Sequence, residues 1–322
     1  RFSAVELRDL YASGQLSPVE LTDAVLKRIE TLNPSLGAFI SVTDELAQQH
    51  AQRAAALVHE GLSNKTPTLL GIPVSIKDLI ATKGIRTTMG SLLLRDWVPE
   101  FDSPVGERLR ASEAIVLGKT NTCEFGWKGD STNRLIGPTH NPWRLGLTAG
   151  GSSGGAAAAV VAGMGPVAVG SDAAGSVRIP ASFCGAFGFK PSFGLIPAYP
   201  ISPLESLAHI GVLSTTVADA AETLATLMGP DPRDRFSLDT AASNLELPGN
   251  SSIQGLRVAW SPDLGYATVD SDVLQVTTAA VLKLESLGCH VDAVVPGWED
   301  PYQFLERIWA ASHAGRHLED LE

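Results

Sequence analysis

Two stretches of small residues carry the groups best suited to chemistry. Gly150-Gly151-Ser152-Ser153-Gly154-Gly155 opens into an alanine-rich run over 156–162, and Gly170-Ser171-Asp172-Ala173-Ala174-Gly175-Ser176 follows, leading into Arg178-Ile179-Pro180. A glycine-rich loop entering a helix can cradle a phosphate. This one lacks the Gly-Lys-Ser/Thr closure and the Gly-x-Gly-x-x-Gly spacing, which disfavours a nucleotide site. Small residues also let the backbone turn sharply and bring several N–H groups close to a substrate. Residues 173–176 could therefore offer N–H groups to a developing oxyanion beside a serine hydroxyl. A serine attacks only after a base takes its proton. None of the seven histidines lies in these loops, and His59 and His317, each near a carboxylate (Glu60, Glu319), fall on helices that read as outer packing. Lys77 is the better base. It directly follows the apolar run 72–76, beside Asp78, so it can project from a strand end into a dry pocket. There, loss of hydration lowers a lysine pKa and frees a neutral amine.

Behind these residues stands an alternation of helices and short strands. Ser17-Pro18-Val19-Glu20 is a helix start, with serine as N-cap, proline in the first turn and glutamate closing a capping box. Leu21, Val25, Ile29 and Leu32 continue it at helical spacing to about Asn33-Pro34. A second amphipathic helix spans about Asp44 to Glu60, so residues 1–70 read as a helical N-terminal part. From residue 71 short apolar runs bounded by glycine read as buried strands: 71–76, 114–118, 166–170 and 256–260. Helices are expected at Val217–Met228, Ser271–Leu287 and Tyr302–Glu322, and 229–253 reads as a surface excursion. Such alternation implies an α/β fold: a mixed, mostly parallel twisted sheet covered by helices on both faces.

The motifs together resemble the amidase signature family of amide hydrolases. The resemblance rests on Gly71-Ile72-Pro73-Val74-Ser75-Ile76-Lys77-Asp78, Gly118-Lys119-Thr120-Asn121-Thr122 with Glu124-Phe125, Asn141-Pro142-Trp143 and Gly150–Gly155. It continues through Gly175-Ser176-Val177-Arg178-Ile179-Pro180, Phe183-Cys184-Gly185 and Gly188-Phe189-Lys190-Pro191, in order over about 120 residues. It implies a Ser-cisSer-Lys triad, with Ser176 as nucleophile, Ser152 as bridging serine and Lys77 as base. Ser152 lies 24 residues before Ser176, the family separation, whereas Ser153 lies 23. The bond Gly151-Ser152 is then expected to be cis, and the backbone N–H groups of Ala173, Ala174, Gly175 and Ser176 to form the oxyanion hole. One departure is Ala174, which stands where the family usually has glycine and resists positive φ. The segment after Glu124-Phe125 approaches the substrate channel in the family, which makes Trp127, Lys128 and Asp130 candidate substrate contacts. No metal or organic cofactor is required.

Plainer roles compete for several of these residues. Lys77 on its own reads as a surface lysine, Ser153 as a helix cap, and Asp172 with Arg178 as a brace for the nucleophile loop. Cys184 reads as a small buried apolar residue, and Lys119 and Glu124 as partners of each other or of backbone. Composition removes other functions. Of 322 residues, 24 are basic and 35 acidic, a net charge of −11 that disfavours nucleic acid and acidic membrane as partners. Three cysteines without Cys-x-x-Cys spacing disfavour a disulfide framework and a zinc site. The uncharged stretch 145–171 is too broken by Gly, Ser and Pro166 to span a bilayer. The expectation is a cytoplasmic hydrolase of a small carboxylic amide, one amidase signature domain over 1–322 with its catalytic core at 71–200. The chain starts without Met, so its true start is expected to lie upstream, and its last helix stops uncapped with no closing strand after it, so a C-terminal portion is expected to be lacking. A homo-oligomer is compatible with this reading. The glutaminase subunit of a tRNA-dependent amidotransferase and a non-catalytic scaffold are the alternatives.

Overall fold

Local capping chemistry starts the first two long helices in the same way. In a computed structural model, which describes residues 2–63, 65–240 and 252–316, Ser17 Oγ accepts the Glu20 N–H at 3.1 Å. The Glu20 carboxylate accepts the Ser17 N–H at 2.9 Å. Ser3 and Glu6 repeat the arrangement at Ala4–Ala12. The helix Pro18–Leu36 runs past the expected stop at Asn33-Pro34. Proline removes a single N–H, a loss that a last turn can absorb. The turn is closed by Gly37, at φ +62°, whose N–H reaches the Asn33 carbonyl at 2.8 Å. The Asn33 side chain brackets the backbone of Phe39 at 2.7 and 3.0 Å, and so launches a strand that the helical reading of residues 1–70 did not include. The helix Asp44–Glu60 lies where the sequence placed it.

Six strands form the central sheet, in the order Phe39–Val42, Ile115–Thr120, Pro73–Lys77, Val167–Asp172, His209–Ser214, Phe187–Phe189. Ile115–Thr120, Pro73–Lys77 and Val167–Asp172 run parallel, and the outer pairings are antiparallel. Apolar residues bury both faces. Val74, Ile76, Val167, Val169 and Val212 belong to one core layer, while Leu117, Ala168 and Leu213 belong to the other, together with the alanine-rich helix Gly154–Val161. This is the α/β fold expected, a mixed sheet with helices on both faces. The period of two along Pro73–Lys77 does the positioning. With Val74 and Ile76 committed to one layer, Lys77 falls on the face that Gly154–Val161 covers. Every residue of that helix is buried. Its small side chains let it lie close to the sheet, so the loop that feeds it sits directly over the strand ends.

The chain packs as two compact units, Arg1–Glu246 and Leu247–Glu322. In the second, Arg257–Trp260 pairs in parallel with His290–Ala293 across the helix Ser271–Ser286. The run at 256–260 does form a strand, but not a buried one: Leu256 is 55% exposed, and the helix Ser271–Ser286 buries no residue. Two strands and one helix are too few to enclose both faces of a sheet. The last helix is described over Tyr302–Arg316, and the remainder of the expected helix to Glu322, with His317, lies outside the described residues, as do 241–251 of the expected excursion. Among the described residues no helix is long and apolar enough to cross a membrane.

Candidate active site

Lys77, Ser152 and Ser176 come together at the C-terminal ends of the central strands. Lys77 has no exposed surface, and its Nζ donates to Ser152 Oγ at 2.7 Å. It also reaches Ser171 Oγ at 3.0 Å and the Ser171 carbonyl at 3.3 Å. The Gly151–Ser152 peptide is cis. The two loops are stitched together by the Ser153 N–H, which donates to the Ser176 carbonyl at 3.1 Å. Ser176 is 8% exposed, and among the described residues its hydroxyl makes no hydrogen bond, to Ser152 or to any other group. Burial pushes the Lys77 amine down to about 7, with Cys123 and Asp172 pulling weakly the other way. That displacement from 10.5 is worth about 5 kcal/mol in favour of the neutral amine, at ~1.4 kcal/mol per pH unit.

Asp172 organises the loop that carries Ser176. Its carboxylate accepts the N–H groups of Gly175 at 2.7 Å, Val177 at 3.1 Å and Arg178 at 3.3 Å, and the Arg178 guanidinium grips both of its oxygens at 3.0 and 2.9 Å. Burial alone would raise this carboxyl, but the Arg178 side chain and the loop N–H groups hold it at about 2. The four N–H groups expected to face an oxyanion are not equivalent. The Gly175 N–H is taken by Asp172, whereas those of Ala173, Ala174 and Ser176 donate to no protein acceptor among the described residues. Ala174 also avoids the left-handed conformation that it would resist. That geometry falls on Gly175, at φ +114°, where a Cβ would lie 2.8 Å from Ile179 Cδ1.

The segment after Glu124-Phe125 lies against the other side of the serine loop. A Cβ on Gly126 would sit 3.3 Å from Ser152 Oγ, and one on Gly151 only 2.0 Å from the Asp130 carbonyl oxygen. The backbone at 126–130 therefore lies against Ser152 and Gly151. The charged side chains of Lys128 and Asp130 pair with each other at 3.2 Å, and Lys128 lies 5.8 Å from the centre of the half-exposed Trp127 ring. Ser153 does not cap its helix; its hydroxyl donates to the Ser171 carbonyl at 3.2 Å. Lys119 bonds the Ile80 carbonyl and Thr82 Oγ1 rather than Glu124. Cys184 is buried, its thiol pushed up to about 12 by desolvation. Two residues at the site escaped the sequence reading. Ser171 contacts the lysine, and Ser131 contacts the loop of the bridging serine. Ser131 is an ordinary serine in a polar stretch, and Ser171, although it lies in the conspicuous loop 170–176, has no spacing that would assign it a role.

A lysine buried against a serine loop, with a second serine on a strand-to-helix turn, is the arrangement of the family the motifs resemble. The Amidase family model matches residues 20–320, and the chain belongs to that family. It is 41% identical over 317 residues to an acylamidase of Rhodococcus erythropolis, covering 98% of this chain and 66% of that protein. It is also 41% identical over 298 residues to a glutamyl-tRNA(Gln) amidotransferase subunit from Synechococcus, covering 92% of this chain and 61% of that protein. Among solved structures it resembles a bacterial aryl acylamidase of the amidase signature family, with a TM-score of 0.89 and 31% identity, covering 99% of this chain and 66% of that one. The chain thus spans about two-thirds of the length of these relatives.

Proposed function

We propose that this chain carries the core of an amide hydrolase that works through an acyl-enzyme on Ser176, with Ser152 as proton bridge and Lys77 as base. The observation that carries the reading is the fully buried Lys77, 2.7 Å from Ser152 Oγ and held near neutrality by desolvation. A neutral amine has two N–H donors and one lone pair. Its three oxygen neighbours fit that inventory once the amine is neutral: Ser171 Oγ and the Ser171 carbonyl accept, and the Ser152 contact, in which the charged lysine is the donor, reverses so that Ser152 donates its hydroxyl proton to the lone pair.

The chemistry then runs in two halves. Ser176 Oγ attacks the amide carbonyl as its proton passes to Ser152 and the Ser152 proton passes to Lys77. The oxyanion is met by the N–H groups of Ala173, Ala174 and Ser176, where one such donor is typically worth ~2.7–4 kcal/mol of barrier. The proton returns through Ser152 to the leaving nitrogen, the C–N bond breaks, and ammonia or an amine departs. Water, deprotonated through the same relay, cleaves the ester and releases the carboxylate. Each step moves protons only among side chains and substrate, so the scheme calls for no cofactor.

A small carboxylic amide is the substrate class, and acylamide hydrolysis is supported over the amidotransferase subunit's glutamine chemistry by the acylamidase relative, whose alignment reaches further along this chain. The scaffold alternative is disfavoured by the presence of Lys77, Ser152 and Ser176 together, with the buried lysine bonded to a serine whose loop is stitched to Ser176. The test is release of aniline from an acylanilide and of ammonia from a primary amide and from glutamine, in wild type and in Ser176→Ala. Release that disappears in Ser176→Ala supports the reading. Undiminished release in that variant overturns it, and release from glutamine alone would favour the amidotransferase role.

A further inference from the structure

The serine loop is held from outside by a residue that the mechanism above does not use. Ser131 is almost wholly buried. Its hydroxyl donates to the carbonyl of Ser152 at 3.2 Å and accepts the N–H of Gly154 at 2.8 Å. Gly154 opens the helix Gly154–Val161, and Ser153, the residue placed to cap it, makes no side-chain cap and is turned towards Ser171. Ser131 thus supplies from another part of the chain the acceptor that the helix start lacks. With the same hydroxyl it fixes the carbonyl of the residue whose Oγ meets Lys77.

Ser131 is itself held firmly. Its carbonyl accepts Asn121 Nδ2 at 3.1 Å, and Asn121 Nδ2 also reaches Thr139 Oγ1 at 3.0 Å. Asn133 Nδ2 donates to Asn121 Oδ1 at 2.5 Å and to the Thr122 carbonyl at 2.8 Å. Immediately before Ser131, the Asp130 carbonyl packs on Gly151 so closely that no side chain fits there. A rigid polar network therefore ends in one hydroxyl that touches both sides of Ser153.

We propose that Ser131 is a positioning residue for the bridging serine: by binding the Ser152 carbonyl and the Gly154 N–H together, it aims Ser152 Oγ at Lys77. It touches neither substrate nor the reacting atoms, and it acts only through Ser152. The consequence for turnover rests on the amide-hydrolase reading above, but the placement of Ser152 against Lys77 does not, and the experiment separates the two.

The first arm follows the titration of Lys77 by NMR with labelled lysine in wild type, Ser152→Ala, Ser131→Ala and Ser131→Thr. Removing the Ser152 hydroxyl displaces the Lys77 titration. The proposal expects Ser131→Ala to displace it in the same direction, and Ser131→Thr, which keeps the hydroxyl, to stay near wild type. A Lys77 titration in Ser131→Ala identical to wild type overturns the proposal, whether or not Ser176 reacts. The second arm measures labelling of Ser176 by a fluorophosphonate. Ser131→Ala should lower the maximal labelling rate on the order of tenfold to a hundredfold, as for a misaimed catalytic group, leave the probe's binding constant unchanged, and be rescued by Ser131→Thr. A loss shared between rate and binding, or one that threonine does not rescue, marks a merely structural residue and overturns the proposal. A wild type that does not label at Ser176 counts against the hydrolase reading alone, and the first arm then decides the role of Ser131. If Ser131→Ala does not fold at the assay temperature, Ser131→Cys, a weaker donor in the same place, takes its part in both arms.

Discussion

Lys77 and Lys119 stand at the ends of neighbouring parallel strands, in register Ile76 with Lys119 and Lys77 with Thr120, and neither has exposed surface. Burial lowers both, Lys77 to about 7 and Lys119 to about 8. Their surroundings nevertheless differ in kind. Lys119 binds the Ile80 carbonyl and Thr82 Oγ1 and faces the buried carboxylate of Asp78, which in turn accepts the N–H groups of Thr88 and Gly90. That is a closed structural network fastening the turn that follows the Lys77 strand. Lys77 meets two serine hydroxyls and a carbonyl, one of the hydroxyls in a loop stitched to Ser176. A depressed lysine pKa therefore does not by itself identify a base. The distinguishing feature is a hydroxyl partner, Ser152, in the loop bonded to that of Ser176, the proposed nucleophile.

The largest expected effect separates the two lysines outright. Lys77→Met should lower turnover and Ser176 labelling by at least on the order of a thousandfold, as loss of a triad member does. Lys119→Met should keep labelling close to wild type for each folded molecule. Equal losses in the two variants, measured by labelling rate against folded fraction, would erase the contrast. Next in size is the nucleophile loop. Asp172→Asn removes the charge that ties Gly175, Val177 and Arg178, and should cost on the order of a hundredfold in kcat by loosening the oxyanion N–H groups. Steady-state kinetics with KM little changed would bear this out, and a pure KM effect would place Asp172 in substrate binding instead.

The pH profile comes third. In the proposed relay Lys77 acts as the neutral amine, so kcat/KM should be flat above about pH 7 and fall about tenfold per unit below it. The acid limb should stay in place in Lys119→Met, because that lysine titrates near 8 without touching Ser152. A limb that moves with Lys119 would mean that the wrong lysine has been assigned. The smallest effect is on stability. The native pKa of Lys77 lies below its unfolded value of 10.5, so between about 7 and 10.5 the unfolded chain binds more protons and stability rises with pH. At pH 7 that burial costs about 4 kcal/mol, which Lys77→Met removes. Lys119→Met removes a smaller cost, and it also removes the cation that faces the buried Asp78 carboxylate, a one-sided loss of charge that is the more damaging change. Calorimetry at pH 7 should therefore find Lys77→Met the more stable of the two, by about 2 kcal/mol or more. The reverse order would show that Lys77 is held for the fold.

Much of this contrast is legible in the amino-acid sequence, and the remainder is not, for specific reasons. The loops at 150–155 and 170–176 are conspicuous because small residues are needed wherever backbone must approach backbone, as Gly151 does the Asp130 carbonyl. Lys77 is legible because an apolar run of period two decides which face its last residue takes. The contacts of Ser131 and Ser171 are not, since a serine side chain looks the same in the sequence whether it faces water, a backbone carbonyl or a lysine. The fate of the Gly175 N–H depends on where the Asp172 carboxylate turns, which no spacing records. The strand at 257–260 illustrates a different limit: an apolar run announces an extended segment but not what covers it. The helix ending at Leu36 rather than Asn33 shows proline tolerated in a last turn because Gly37 closes it.

The central claim is that a relay from Lys77 through Ser152 arms Ser176. Its most direct test is to react the protein with a fluorophosphonate, map the modified residue by mass spectrometry, and repeat with Lys77→Met and Ser152→Ala. The account predicts modification at Ser176 that collapses in both variants while their folded fraction is retained. Modification at another residue, or undiminished labelling of Ser176 in either variant, would contradict it.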